Sequence, residues 1–346
     1  MTTQDQKVDT NATALQAGRD LVIHTAMSSD QMAQIMIAMA KQLSIYQNEA
    51  RDTATARFES FREELLRRFS KPGEANPDAF RDPDFQYLLN DSQEAFARSG
   101  DEAVRDTLVD IIARRSLETK RTRLAITLND AATKAANLTV NEFAALSLIY
   151  VARHTMRHNI GTFQQFCDYV NQNLIPFAKD ISREPSSLGH LSAQSCGSLS
   201  LGGADLAAIL KENYGGVLGL GFDRVQLESH LPDGKKNAMD LIIIPSLHDA
   251  SKLQPPAITF DVLKLKSAQT GLTEAELQNV WNLFQGTIPD LKELLKPFVP
   301  DIELLFDLWE NMALNRFDLT SLGIAIGHAN AKRVIGFDAP LNIWIK

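Results

Sequence analysis

Ser195-Cys196-Gly197-Ser198 sets a thiol and a hydroxyl on a glycine turn, with His190 five residues before Ser195. A nucleophile beside an imidazole base is the minimum for acyl-transfer or hydrolytic chemistry, so Cys196, Ser198 and His190 are the candidates for a hydrolase-type site. The stretch is neither a Gly-x-Ser-x-Gly elbow nor a papain-like or caspase-like cysteine motif. No sequence feature places an orienting Asp or Asn beside His190, and cysteine commonly serves as a small buried hydrophobe. His154 and His158 have the i,i+4 spacing of a zinc-binding helix, but Thr155 stands where a zincin has its glutamate. With Arg153 and Arg157 they read instead as a basic helix end complementing the macrodipole, and no metal site is expected. Gly215-Gly216-Val217-Leu218-Gly219-Leu220-Gly221 lacks the Lys-Ser/Thr of a phosphate loop and the Gly-x-Gly-x-x-Gly spacing. It reads as a flexible turn between core elements, and no cofactor is implied.

The remaining charged groups point to surfaces more than to catalysis. Arg114, Arg115, Lys120, Arg121 and Arg123 form the one dense basic stretch. They are either two helix ends meeting at a turn or a contact for an anionic partner such as nucleic acid or phospholipid headgroups. Carboxylates at 101–110 and 301–307 fall at helical spacings with no His or Lys to complete an acid/base pair, and read as solvated faces. Across the chain, 35 Lys+Arg stand against 43 Asp+Glu, a net charge of -8, so non-specific nucleic-acid binding is disfavoured and a nucleic-acid partner is not expected. Two cysteines in 346 residues cannot build a disulfide framework. The opening residues have no apolar signal-peptide core and no window approaches the ~20 apolar residues of a bilayer span, so the expected location is the cytoplasm, with membrane-surface association left open.

The elements that must position these groups divide near residue 185. Residues 1–13 are polar and read as a flexible N-terminus. Residues 14–26 read as a short β element around Gly18, too small to be stable alone, whose Leu15, Leu21, Val22 and Ile23 must dock on the body or pair with other copies. A Ser28-x-x-Gln31 capping box opens a long helix over 27–70. Its stripe of Met32, Met36, Met39, Leu43, Tyr46, Phe58, Phe61 and Leu65 includes an eleven-residue spacing, nearer 3.7 residues per turn than the 3.5 of a zipper. It can pack along its own domain or form an intersubunit seam through Met36, Leu43 and Phe58. Residues 71–184 read as a helical domain, with a linker at 70–84 and helices near 83–98, 101–117, 119–137, 139–151 and 160–180. Residues 185–346 read as mixed, glycine-rich α+β, with strands expected at 222–227, 240–244, 258–263 and 341–345 and helices near 273–284, 288–296, 300–314 and 319–333. In the last of these, Gly323, Gly327 and Ala331 lie four apart, small enough for a neighbouring element to approach closely. The fold class is thus α+β, predominantly helical.

Several segments together resemble an uncharacterised bacterial family of about 300–350 residues, associated with conflict and defence proteins: Ala17-Gly18-Arg19-Asp20-Leu21-Val22-Ile23-His24, the Leu138-Thr139 helix start, Ser195 to Gly202, and Leu319 to Asn330. The first segment is also similar to one rung of a haemagglutinin-type β-solenoid. The resemblance carries no catalytic residues. It implies a self-assembling, non-enzymatic cytosolic protein acting as sensor, adaptor or effector subunit in antiviral defence, whose partners are its own copies and another defence protein or a phage component.

Overall fold

The computed structural model describes residues 29–184, 186–231 and 235–346. The chain separates into two compact units, residues 1–54 and 55–346. The expected β element at 14–26 and the Ser28 cap lie outside the described residues. Of the first unit, residues 29–54 are described, as part of helix α1 (Ser29–Phe69). With neither Pro nor Gly across 41 residues, nothing in α1 interrupts the hydrogen-bond ladder. It stops just before Pro72, whose ring disfavours helical geometry at the preceding residue, and Gly73 then takes a left-handed φ of 78°.

The second unit continues through α2 (Pro83–Ser99), α3 (Glu102–Leu117), α4 (Arg123–Ala135), α5 (Val140–His154), α6 (Phe163–Asn173), α7 (Ile175–Asp180) and α8 (Ser186–Ala193). Strand β1 (Gly197–Leu199), α9 (Leu206–Leu218), α10 (Arg224–Ser229) and α11 (Lys236–Met239) lead to the hairpin strands β2 (Ile244–Pro245) and β3 (Leu253–Gln254). Helices α12 (Phe260–Lys266), α13 (Glu274–Gln285), α14 (Leu291–Leu295) and α15 (Ile302–Asn311), strand β4 (Phe317–Leu319) and α16 (Ser321–Ile335) complete it. The fold is α+β and predominantly helical. Side-chain caps start most of the longer helices: Asp101 caps α3, Thr122 α4, Thr162 α6 and Thr320 α16, while α5 and α13 begin with full capping boxes, Thr139/Glu142 and Thr273/Glu276.

α5 is the axis of the main core. Every residue from Glu142 to Ala152 is buried, the signature of a helix surrounded on all sides. Against it lies α16, buried from Gly323 to Ala331. A methyl group on Gly327 would sit 2.8 Å from the Leu146 carbonyl oxygen, so only glycine permits this approach. Hydrogen bonds fasten the crossing: the Ser147 hydroxyl reaches the Gly327 carbonyl at 3.0 Å and accepts from the Asn330 amide at 2.8 Å. One turn earlier, Gly323 packs on the Cys196 carbonyl. β1 and β4 pair antiparallel beside it, with Gly197 opposite Leu319. One hydrophobic cluster runs from Phe61 to Ile345, taking residues from both sides of position 185. A second, including Phe222, Leu263, Trp281 and Phe284, fills the space among α10, α12 and α13.

The expected strands are where the pattern misleads. Residues 258–263 are largely helical because Thr259 caps α12, so a local cap outweighs β-branched composition. Phe222 makes only a single bridge, to Leu253, before Asp223 and Gln226 form a capping box that starts α10. Of 240–244 only Ile244 pairs, since β2 meets a two-residue partner. Leu341 and Ile345 are buried four apart around a 3-10 turn, and Trp344 Nε1 donates to the His154 carbonyl at 2.8 Å; this is a docked turn, not an alternating strand. The helix expected over 160–180 breaks between α6 and α7, where Pro176 requires a new first turn. The helix expected from 319 starts at Ser321, because Phe317–Leu319 pair with β1, and that expected from 119 starts at Arg123.

Helix propensity and packing make opposite demands on two glycines. Gly189, in α8, has open space around its Cα, so Gly189→Ala is expected to stabilise by up to ~1 kcal/mol. Gly327→Ala is expected to cost about 1–3 kcal/mol, because backbone atoms must move. Urea denaturation of the two variants checks the contrast.

Candidate functional site

The turn from α8 into β1 holds the candidate nucleophiles. Ser195 adopts a left-handed φ of 61°, and Cys196 closes the turn by donating its backbone N–H to the Leu191 carbonyl at 2.9 Å. Thr320 then binds both neighbouring carbonyls, its N–H donating to Cys196 and its hydroxyl to Ser195. Cys196 is fully buried. Burial, followed by the nearby Glu142 charge, pushes its thiol up to about 12, so the thiolate is scarce at neutral pH. Its Sγ approaches the Gln194 carbonyl at 3.8 Å. Ser198 is exposed on β1.

His190 faces elsewhere. Its Nδ1 lies 2.6 Å from Glu142 Oε1, and its Nε2 lies 3.4 Å from the Gln194 amide. Glu142 is itself buried, its other oxygen accepting from the Thr139 N–H and hydroxyl. The structure therefore builds a carboxylate–imidazole pair, and among the described residues neither Cys196 nor Ser198 hydrogen-bonds to that imidazole. Glu142 is the third residue of α5 and the acidic half of its capping box. Its capping role was readable from the three-residue spacing to Thr139; the second oxygen, turned to a histidine 48 residues on, was not.

The basic stretch divides in two. Arg115 is buried and bonded to Asp84, Asp82 and Asn129. Arg114 pairs with Asp110 at 2.9 Å and Asp338 at 2.7 Å. Lys120, Arg121 and Arg123 are exposed at the start of α4 and in the turn before it. Asp110, 3% exposed at its side chain, is the hub of a wider ion network reaching Arg68 and Lys332, each at 3.5 Å. The network lines a 370 Å³ cleft to which Glu74 and Asp338 also contribute. Burial works against both carboxylates, but hydrogen bonds from Arg68 to Glu74 and from Arg114 to Asp338, with the Lys332 charge, hold them below their ordinary range. The cations sit at the C-terminal ends of α1 and α16, where they also complement the helix dipoles.

The other motifs resolve into packing. α5 ends at His154, so His154 and His158 do not share a helix face. Among the described residues no group of three or more His, Cys, Asp and Glu could hold a metal ion. The glycine run is not a flexible turn: Gly215 and Gly216 lie inside α9, and Gly216 presses on the Ala257 carbonyl while donating its N–H to Ile258. Of the expected assembly residues, Met36, Leu43 and Phe58 are exposed on α1 at 66%, 58% and 38%, whereas Leu15, Leu21, Val22 and Ile23 lie outside the described residues. No described helix is long and apolar enough to cross a membrane.

His328 on α16 supplies the clearest pH dependence. It is fully buried, with Nε2 donating to the Ala339 carbonyl and Nδ1 unpartnered. Burial first, then the Arg114 charge, lowers it to about 4. Unfolded chains take up this proton near pH 6.5, before the folded state does, so stability falls as pH drops from about 6.5 to 4, by up to ~3 kcal/mol. Urea midpoints at pH 7 and pH 5 should differ in the natural chain and differ less in His328→Gln, where His154, also lowered by burial, still contributes.

No curated protein and no solved structure matches this chain. A family model matches residues 26–345, beginning after the 14–24 segment and covering α1 and the second unit to its penultimate residue. Its span includes the α5, β1, β4 and α16 segments whose motifs meet at the Gly323 and Gly327 contacts. The chain belongs to the family this model describes, an uncharacterised one.

Proposed function

We propose that the protein works by self-assembly and partner recognition rather than by catalysis, as a cytosolic sensor, adaptor or effector subunit in bacterial antiviral defence. The observation that carries this reading is the N-terminal part of α1. Ile35, Met36, Ile37, Met39, Leu43, Ile45 and Tyr46 are each 36–69% exposed within three turns of helix or so. Four of them, Met36, Met39, Leu43 and Tyr46, share one face, and an exposed apolar line of that kind marks an interaction surface.

A second copy of the same helix is the occupant that fits. Met36, Met39, Leu43 and Tyr46 follow one stripe at three- and four-residue spacing, and that stripe continues into Phe61 and Leu65, which are buried in the protein's own core. At 100° per residue Asp30, Lys41 and Asp52 lie on the face opposite the stripe, and Glu49 and Arg51 flank it, so charge borders the apolar line and does not interrupt it. A stable interface needs about 800 Å² per partner, so residues beside the stripe, Ile35 among them, would have to join the contact. Residues 14–24 would add strand pairing between subunits in the same assembly. The buried, protonated Cys196 thiol and the His190 ring engaged by Glu142 are consistent with a body that is not built around a nucleophile.

Light scattering of the purified chain at micromolar concentration should give a mass several times that of one copy. Met39→Asp combined with Leu43→Asp should give single chains with unchanged circular dichroism. A natural chain that is monomeric under these conditions would overturn the proposal.

A further inference from the structure

Between the two hydrophobic clusters of the second unit lies a cavity of 330 Å³. Its walls are the end of α9, the β2–β3 hairpin, the 256–258 turn and α12, contributing among others Val217, Ile244, Leu247, Ile258 and Val262. The volume is at the lower end for small-molecule sites, which favour junctions between packed bodies.

The chemistry of the lining is unusually one-sided. Gln254 at its base is buried and engaged at both ends: its Oε1 accepts from the Leu247 N–H at 2.8 Å and its Nε2 donates to the Gly216 carbonyl at 3.1 Å. The Gly216 N–H is spent on the Ile258 carbonyl at 2.9 Å. Water in this space finds few polar partners, so an apolar group displacing it gains free energy. Ile244 and Leu247 remain 37% and 46% exposed at the opening, leaving a route in. The only ionisable residue of the lining is Lys266, in the last turn of α12. Its ammonium donates to the Pro256 carbonyl and, among the described residues, has no carboxylate partner.

An apolar slot with one uncompensated cation at its rim is complementary to a chain with an apolar body and an anionic end. We propose that this cavity binds a small amphiphilic carboxylate, the alkyl chain lying between Val217 and Val262 and the carboxylate meeting Lys266. This inference does not rest on the proposed self-assembly through α1.

The test is calorimetric titration of the full-length chain with decanoate below its micellar concentration, and with decanol as the uncharged control. Saturable decanoate binding at one site per chain is expected. Lys266→Gln should weaken decanoate by about fivefold, within the range for a charged hydrogen bond at a partly exposed site, and leave decanol unchanged. Val262→Trp should fill the slot and abolish binding of both. If that variant does not fold, Ile244→Trp at the rim serves instead. Absence of saturable decanoate binding, equal affinity in Lys266→Gln, or full binding in the tryptophan variant would overturn the proposal.

Discussion

The close approach of α16 to α5 is the constraint on which the rest of the second unit depends. Because Gly327 has no side chain, the two backbones come near enough for Ser147 to bond the Gly327 carbonyl and for Asn330 to bond Ser147. Those polar atoms are buried, and each would be costly if left unpaired. The position of α16 then sets what lies at its two ends. At the N-terminal end, Gly323 and Thr320 clasp the 195–197 turn, so β1 and β4 pair. At the other end, Lys332 is delivered to Asp110, joining α16 to α3 and to the last turn of α1.

The same constraint accounts for how reactive-looking groups are spent. Cys196 lends its carbonyl and amide to the clasp and keeps its thiol in the interior. Glu142 closes the start of α5 with one oxygen and holds α8 through His190 with the other. Asp110 would be expensive to bury alone, and three cations surround it, so removing one partner would strand charge in the core. Each of these groups therefore does structural work in the body of the protein, while the apolar residues without such work include the run on α1 and the rim of the 330 Å³ cavity.

Sequence carried the helices and the small-residue stripe well, because both are local. The 27–70 helix, the Thr139/Glu142 and Thr273/Glu276 boxes and the Gly323/Gly327 spacing each depend on residues within a few turns. It carried strands badly: 258–263 and 341–345 have strand composition, but whether such a segment finds a pairing partner is decided far away in the chain. The same holds for the site. Nothing near His190 announces Glu142, and nothing near Arg114 announces Asp338, 224 residues later. The 330 Å³ cavity was invisible for a similar reason, since its walls come from separate stretches between Gly161 and Lys266 and only Lys266 is charged.

Under the proposed self-assembly, the exposed apolar run of α1 is covered by other copies of the chain. Hydrogen–deuterium exchange at two protein concentrations tests this most directly. The amides of α5 and α16 should exchange slowest and equally at both, while those of residues 33–53 should become more protected as concentration rises. Protection of residues 33–53 that is independent of concentration, or faster exchange in α16 than in α1, would contradict it.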